Sequence, residues 1–241
     1  MNSSKNSNKS KKKKKNNIFE YLFYDFVKIT GAPSALLWIR PKVFYPFGRH
    51  KLKGGFIISA NHCSFIDPIV ILCVFWTHRV FSLATKDLYS NRIKRLIFTK
   101  MKCIQVDKEN FSLNSFHEVT RRLKKGKVIS IFPEGRLNFE SDNMLAFKSG
   151  IILMAHTANA PILPIYLVPP KRWYHRRITV VGEPIDIRKL CGAMPTVDDL
   201  NRAADYVHDK EQELKVYYDS KHSKNTMEIQ ENSKEKENTV K

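Results

Sequence analysis

The sequence predicts an α/β fold, a single layered domain with a mixed β-sheet flanked by helices. Between about residues 54 and 182, short apolar segments alternate with longer segments of helical periodicity, a pattern typical of strands separated by helices. The chain has 241 residues, which is long enough for one well-buried domain and short for two. Hydrophobic residues make up 42% of the chain, which fits a globular protein with a proper core.

Six apolar segments have the length and composition of strands, and five others fit helices. The predicted strands are Phe56–Ala60, Val80–Ala84, Cys103–Val106, Lys127–Phe132, Ile162–Val168 and Ile178–Gly182. The predicted helices are Pro68–Trp76, Arg92–Thr99, Asn114–Lys124, Gly150–Thr157 and, after the last strand, Asp198–Tyr218.

Changes of composition along the chain predict five regions. They are a disordered lysine-rich tail over residues 1–17, amphipathic, membrane-associating helices over 18–50, the α/β core over 51–187, a helical extension over 188–220 and a second disordered tail over 221–241.

The region before the first core strand is unusually rich in aromatic and apolar residues. A helix is predicted over residues 18–30, and two further apolar segments follow it at 35–39 and 43–47. Next to a polybasic tail, this composition favours a monotopic anchor that lies in the membrane interface. The alternative is a helical hairpin packed on the core.

The net charge of +19 indicates either an anionic partner or a strongly solvated surface. Residues 1–17 supply seven lysines and no acid, and two more basic clusters lie at 121–127 and 171–177. A lysine close to an anionic bilayer contributes about 1 kcal/mol to binding. For the tail considered alone, membrane contact and a purely solubilising role both stay open.

Several classes of protein receive no support from the sequence. The four cysteines form no CxxC pair, which favours reduced thiols, and the histidines show no HExxH or similar spacing, so no metal site is predicted. No run of eighteen apolar residues exists, so no transmembrane helix is expected. The N-terminus lacks the apolar core and cleavage site of a secretory signal.

A histidine and a carboxylate, His62 and Asp67, lie on either side of a tight turn. Because Pro68 suits the first helical position, Asp67 is predicted to cap the helix that begins there, with His62 in the loop above it. The carboxylate would then bond one imidazole nitrogen and leave the other free to accept a proton. The alternative is a capping Asp67 beside an ordinary loop histidine. Cys63 is adjacent to His62, but nothing in the sequence lowers the pKa of its thiol.

A second candidate site lies about seventy residues later, at Phe132–Arg136. The segment ends an apolar strand in a turn that carries both charge signs, which is a plausible cradle for a phosphorylated substrate. Lys86 and Lys148 are further cations near these motifs. For each cation, the alternative is a solvated surface position.

Together, His62 with Asp67, Phe132–Arg136 and Ala160–Ile165 resemble the motif series of the 1-acylglycerol-3-phosphate acyltransferase family. The similarity runs from about Lys51 to about Ile187. Each motif is short, but their occurrence together at family-like spacing is hard to reach by chance. The resemblance implies a glycerolipid-acyltransferase-like fold and an enzyme that makes phosphatidic acid for phospholipid biosynthesis.

The resemblance also implies roles for single residues. His62 would be the general base and Asp67 would orient it, while Glu134, Gly135 and Arg136 would bind the glycerol-phosphate part of the acceptor. The commoner family form has a threonine between the glycine and the arginine, whereas Arg136 follows Gly135 directly.

Two weaker motifs complete the resemblance. Val106–Lys108 is similar to the second family motif, which usually ends in arginine, and Lys108 would bind phosphate as a point charge. Ala160–Ile165 is similar to the fourth motif and would position the acyl chain or the acceptor, unless it is simply a core strand. No cofactor is implied, because acyl-CoA or acyl-carrier protein is a co-substrate.

The partners implied are lysophosphatidic acid, the acyl donor and an anionic membrane surface, with the protein peripheral or monotopic on the cytoplasmic face of the cell membrane. A close alternative is an acyltransferase for another lysophospholipid or lipid hydroxyl. A remote one is a basic nucleic-acid-binding protein that uses residues 11–15 and 171–177. No nucleic-acid motif accompanies those clusters, and this function would leave His62, Asp67 and Glu134 unexplained, so no nucleic acid is expected.

Overall fold

The computed structural model describes residues 21–106, 113–139, 144–170, 172 and 175–239, with only the backbone described at position 32 and over 222–239. Its centre is a seven-stranded sheet with the order β1-β7-β6-β2-β5-β3-β4. The strands are β1 (Lys42–Phe44), β2 (Phe56–Ala60), β3 (Val80–Thr85), β4 (Ile104–Val106), β5 (Val128–Ile131), β6 (Ile162–Val168) and β7 (Ile178–Val181).

Helices flank this sheet, and a short 3-10 helix, Lys86–Tyr89, follows β3. The α-helices are α1 (Leu22–Ile39), α2 (Asp67–Val74), α3 (Arg92–Lys100), α4 (Leu113–Lys124), α5 (Gly150–Ala158), α6 (Ile187–Cys191) and α7 (Val197–Thr239). The structure therefore confirms the predicted α/β domain with a mixed sheet flanked by helices.

The direction of the strands determines where loops meet. Neighbouring strands are parallel except β6 and β7, which are antiparallel. The central strand β2 pairs with β5 on one side and with β6 on the other, so the carboxyl ends of all three lie at the same edge. Loops at that edge are the usual place for a ligand site in such a sheet.

Each face of the sheet buries its own core. Ile57, Ile129 and Ile162 pack against α4, α5 and α7 on one face. On the other face, Ile58 and Ile165 pack against α1 and α2. The interior strands are buried on both faces, which explains why their sequences read as continuous apolar runs rather than as alternating ones.

The N-terminal region differs from the prediction in two ways. Instead of separate apolar segments, one continuous helix, α1, runs from Leu22 through Gly31 and Pro33 to Ile39. Residues 42–44, predicted within a helical region, form the edge strand β1 on β7. Their β-branched and aromatic side chains suit a strand, and the partner strand lies more than 130 residues away in sequence, which no local pattern shows.

One side of helix α1 packs on the core, and the rest of the helix is exposed. The buried Tyr24 hydroxyl donates to the carbonyl oxygen of Val80 at 2.9 Å and accepts from its N–H at 3.1 Å. Asp25 accepts two hydrogen bonds from the Arg79 guanidinium. These contacts fix one side of the helix to β3. Large apolar side chains remain exposed on the rest of it: Leu22, Phe23, Phe26, Ile29, Leu37 and Trp38.

The C-terminal helix also differs from the prediction. A helix is predicted to end at Tyr218 and a disordered tail to cover residues 221–241, whereas the backbone of α7 is helical to Thr239. The segment 198–239 contains no glycine or proline and is rich in Glu, Lys and Gln, which are good helix formers. The predicted tail over residues 1–17 lies outside the described residues.

A glycine at the entry to β2 provides a test of this packing. A Cβ on Gly55 would lie 2.2 Å from the carbonyl oxygen of Leu123, so we expect Gly55→Ala to lower stability by at least about 2 kcal/mol. Gly31→Ala is the matched control, because no atom lies within 4 Å of its Cβ position and alanine favours a helix. Thermal unfolding of both variants measures the difference, and equal melting temperatures would contradict this packing.

Candidate active site

The carboxyl ends of β2 and β5 bring together two segments that are far apart in the sequence. Asn61 and His62 follow β2, and Pro133 and Glu134 follow β5. The two strands are parallel neighbours, and the backbone nitrogen of His62 lies 3.4 Å from Oε1 of Glu134. The predicted base and the predicted acceptor turn therefore form one site.

The Asp67 carboxylate organises the loop that carries His62. Its Oδ2 accepts from the backbone N–H groups of Cys63 at 2.8 Å and Ser64 at 2.7 Å, and lies 3.0 Å from Nδ1 of His62. Asp67 is the first residue of α2, and its side chain does not cap that helix, whose N-cap is Ile66. The predicted capping role is therefore wrong, because the carboxylate points back into the loop.

The imidazole of His62 is held at a defined orientation. Its ring stacks on Phe132 with a centroid distance of 4.0 Å and an interplanar angle of 15°. Nδ1 contacts the Asp67 carboxylate, and among the described residues no hydrogen bond involves Nε2. The side chain is 18% exposed, so Nε2 is accessible to a substrate. This is the arrangement that a general base requires.

Further contacts hold the backbone on either side of the base. The buried Asn61 amide donates to the carbonyl oxygen of Leu167 at 2.9 Å and accepts from the Leu167 N–H at 2.7 Å. The N–H of Asn138 donates to the carbonyl oxygen of His62 at 2.7 Å. These bonds tie the loop to β6 on one side and to the residues just after the Phe132–Arg136 segment on the other.

Glu134 is buried, and its carboxyl points toward the backbone of His62 rather than toward solvent. Burial raises the pKa of its carboxyl, and hydrogen bonds from the backbone of His62 and Leu145 and from the Asn138 side chain oppose that rise. A carboxyl in this position is suited to fixing the backbone at His62.

A second buried carboxyl, Glu211 on α7, lies behind the same loop and escaped the sequence analysis. Burial raises its pKa well above the ordinary value of 4.5, and the charge of Glu134 adds to the rise. Neither oxygen reaches full hydrogen-bond geometry with a described residue, although the Ser59 hydroxyl and the Asn61 backbone still lower the pKa. Its burial could have been predicted from helical spacing, because Glu211 lies four residues after Val207 and therefore on the same buried stripe of α7.

Cys63 is not suited to carry an acyl group. Burial and the adjacent Asp67 carboxylate raise the pKa of its thiol, with burial the larger cause. The thiol is therefore held in the weakly nucleophilic protonated form at neutral pH.

The predicted acceptor turn has two cations at its surface. Gly135 adopts φ +71°, and Arg136 beside it is exposed. Lys148 reaches over the turn, since a Cβ on Gly135 would lie 3.2 Å from its Nζ, and its backbone N–H donates to the carbonyl oxygen of Pro133. Lys108 lies outside the described residues.

The backbone amides nearest the base already have acceptors. The N–H groups of Cys63 and Ser64 bond Asp67, the N–H of His62 faces Glu134, and that of Gly135 bonds the carbonyl oxygen of Phe132. These four N–H groups are therefore committed to hydrogen bonds within the fold. Within the described residues, no group of three His, Cys, Asp or Glu side chains is placed to hold a metal ion.

Comparison with known proteins gives consistent matches. The model of a family described as Acyltransferase matches residues 41–168, which is more than half of the chain. A probable 1-acyl-sn-glycerol-3-phosphate acyltransferase of Mycoplasma pneumoniae is 26% identical over 153 residues, covering 59% of this chain and 56% of that protein. A 1-acyl-sn-glycerol-3-phosphate acyltransferase of Borreliella burgdorferi is 29% identical over 157 residues, covering 64% and 62%. The chain thus spans less than two thirds of either relative.

A solved structure shares the fold. The crystal structure of the 1-acyl-sn-glycerophosphate (LPA) acyltransferase PlsC from Thermotoga maritima superposes with a TM-score of 0.58 and 19% sequence identity. The match covers 82% of this chain and 80% of that one, so the likeness extends over most of both folds.

The pH dependence of stability tests the state of Glu211. Above about pH 4.5 the unfolded chain has lost a proton that the folded chain keeps, so Glu211 lowers stability increasingly as pH rises toward its folded-state pKa. Gln cannot ionise, so the stability of Glu211→Gln relative to the parent protein should increase between about pH 5 and pH 8. Denaturant unfolding across that range measures it.

Glu213→Gln is the control, because Glu213 is an exposed carboxylate two residues further along the same helix. A difference between Glu211→Gln and the parent that stays constant with pH would mean that Glu211 is already ionised in the fold.

Proposed function

The chain belongs to the acyltransferase family, which confirms the resemblance seen in its motifs, and from this premise we propose that it acylates 1-acylglycerol 3-phosphate to phosphatidic acid. The acyl donor would be acyl-CoA or acyl-carrier protein. The observation that carries the proposal is the contact of His62 Nδ1 with Asp67 at 3.0 Å, beside a turn with two surface cations. The names of the relatives support the acceptor.

His62 acts as base and then as acid in this mechanism. Nε2 takes the proton of the free glycerol hydroxyl while that oxygen attacks the thioester carbonyl carbon. The tetrahedral intermediate collapses, the carbon–sulfur bond breaks, and the imidazolium returns the proton to the departing thiolate. Asp67 keeps the proton on Nδ1 in the resting state and stabilises the imidazolium, as the acid does in a hydrolytic triad. No covalent enzyme intermediate is needed, in keeping with the protonated Cys63 thiol.

Glu134 contributes by position in this scheme. The family resemblance assigns it to the acceptor, but the buried carboxyl faces the backbone of His62. We therefore assign to Glu134 the placement of the base relative to the acceptor turn. Gly135 gives that turn its left-handed backbone conformation.

The acceptor phosphate would lie over the Gly135 turn. Arg136 and Lys148 both present cations there, and Lys148 occupies the space that a side chain at position 135 would fill. Lys108 stays a predicted phosphate contact. Since Lys148 is a point charge and Arg136 a planar fork, the two would contact the phosphate in different ways.

The protein would work at a membrane surface, because both the acceptor and the product are lipids. No described helix is long and apolar enough to cross a bilayer. The exposed apolar side chains of α1 support an interfacial contact, while Tyr24 and Asp25 keep the opposite side of that helix on β3. Placement on the cytoplasmic face of the cell membrane belongs to the same proposal.

Substitution of the catalytic pair tests the mechanism. We expect His62→Ala to lower kcat by at least about a hundredfold, because the proton acceptor is lost. Asp67→Asn should lower kcat by orders of magnitude, because the neutral amide does not stabilise the imidazolium. The assay supplies a panel of lysolipids with both donor types and scores the product by mass, which also identifies another lysophospholipid as the acceptor.

Cys63→Ala is the matched control, because it changes the residue next to the base without touching the imidazole. It should keep substantial activity. Near-normal turnover of folded His62→Ala would remove the base assignment, and complete loss in folded Cys63→Ala would restore the covalent route.

Substitution of the two cations tests the acceptor site. Arg136→Ala and Lys148→Ala should each raise the acceptor KM about tenfold and leave the donor KM nearly unchanged, because a hydrogen bond to a charged group is lost. Steady-state kinetics with each substrate varied in turn measures this. Lys53→Ala, an exposed lysine before the amino end of β2, is the control and should change neither KM. Equal increases in both KM values for Lys148→Ala would point to a donor-side role.

A further inference from the structure

Helix α3 presents its apolar residues to solvent instead of to the core. Ile93, Leu96 and Ile97 are 69%, 58% and 49% exposed. They are spaced at i, i+3 and i+4, so they form one stripe along the helix. In an ordinary surface helix such a stripe faces the core, yet none of the residues of α3 is buried.

The inner side of α3 is already attached to the domain by other residues. The Phe98 ring packs on Tyr89 at a centroid distance of 5.6 Å, and Nε of Arg95 donates to the carbonyl oxygen of Tyr89 at 3.2 Å. The Asn91 side chain caps the helix by accepting from the N–H of Ile93. The stripe is therefore not needed to hold α3 in place.

The charges that α3 itself carries are all of one sign. Within its nine residues, α3 contains Arg92, Lys94, Arg95 and Lys100, and it has no acid. An apolar stripe flanked only by cations matches the anionic headgroup layer of a bilayer, where lysine and arginine meet phosphate while aliphatic side chains enter the acyl region.

The position of α3 connects this stripe to helix α1. Helix α3 links the carboxyl end of β3 to the amino end of the parallel strand β4, so it runs from the active-site edge of the sheet to the opposite edge. The Lys100 ammonium lies 6.0 Å from the centroid of the Phe23 ring on α1. The stripe is thus continuous with the exposed aromatic surface of that helix.

We propose that α3 is a second membrane contact, which inserts Ile93, Leu96 and Ile97 into a bilayer that contains anionic lipid. With α1 it would form a two-helix platform that holds the protein on the membrane that contains the lipid acceptor. The proposal rests on the proposed function only in taking the acceptor to be a lipid.

Vesicle flotation of the full chain tests the insertion. Leu96→Gln/Ile97→Gln should bind vesicles of phosphatidylcholine mixed with phosphatidylglycerol about tenfold or more weakly than the parent protein, because two aliphatic side chains lose their burial. The matched control is Val197→Gln/Val216→Gln, two exposed aliphatic positions on α7, which should bind as the parent does. Circular dichroism confirms that the variants fold.

The charges are tested separately. Arg92→Gln/Lys94→Gln should lose most of the preference for the phosphatidylglycerol-containing vesicles over phosphatidylcholine alone, and its binding should depend less on salt. A third pair of substitutions, Phe26→Gln/Ile29→Gln on α1, measures how much that helix contributes to vesicle binding. Binding by Leu96→Gln/Ile97→Gln equal to that of the parent would overturn the proposal and leave an acidic protein as the partner of the stripe.

Activity distinguishes a failure of this proposal from a failure of the proposed function. With a short-chain acceptor below its critical micelle concentration, the α3 variants should acylate the acceptor at the rate of the parent protein. With the acceptor in vesicles, they should acylate it more slowly than the parent does. Full-rate turnover on vesicles by a variant that floats poorly would contradict the platform but leave the chemistry at His62 intact.

Discussion

The site depends on a single oxygen atom, Oδ2 of Asp67, which accepts from two backbone N–H groups and lies 3.0 Å from Nδ1 of His62, the proposed base. With these partners the carboxylate is 3% exposed, which is tolerable only because its hydrogen bonds replace water. The turn over residues 62–66 and the orientation of the imidazole follow from this interaction.

The loop that carries His62 is further supported by carboxyl groups from two other parts of the chain. Glu134 follows β5 and faces the N–H of His62, and Glu211 lies on α7 behind Asn61. Burial raises the pKa of both groups, and the charge of Glu134 further disfavours ionisation of Glu211. Each carboxyl therefore keeps its proton to a higher pH than an exposed glutamate would.

Much of the fold was predictable from the sequence because its signals are local. The apolar runs of β2 and β6 have the bounds that the sequence predicts, and the turn residues around His62 and Gly135 marked the site. What escaped prediction depends on distant partners. Strand β1 needs β7, the inward direction of Asp67 needs the folded loop, and the burial of Glu211 needs the sheet. The outward stripe of α3 escaped for the opposite reason, because its periodicity is that of a core-facing helix.

The tautomer of His62 is the most direct measure of the central interaction. Nitrogen-15 NMR of the imidazole, at a pH where the ring is neutral, reports which nitrogen carries the proton. A carboxylate at 3.0 Å from Nδ1 predicts the Nδ1–H form with an unprotonated Nε2. A neutral ring that carries its proton on Nε2 would contradict the assignment, because that nitrogen could not then accept the proton of a substrate hydroxyl.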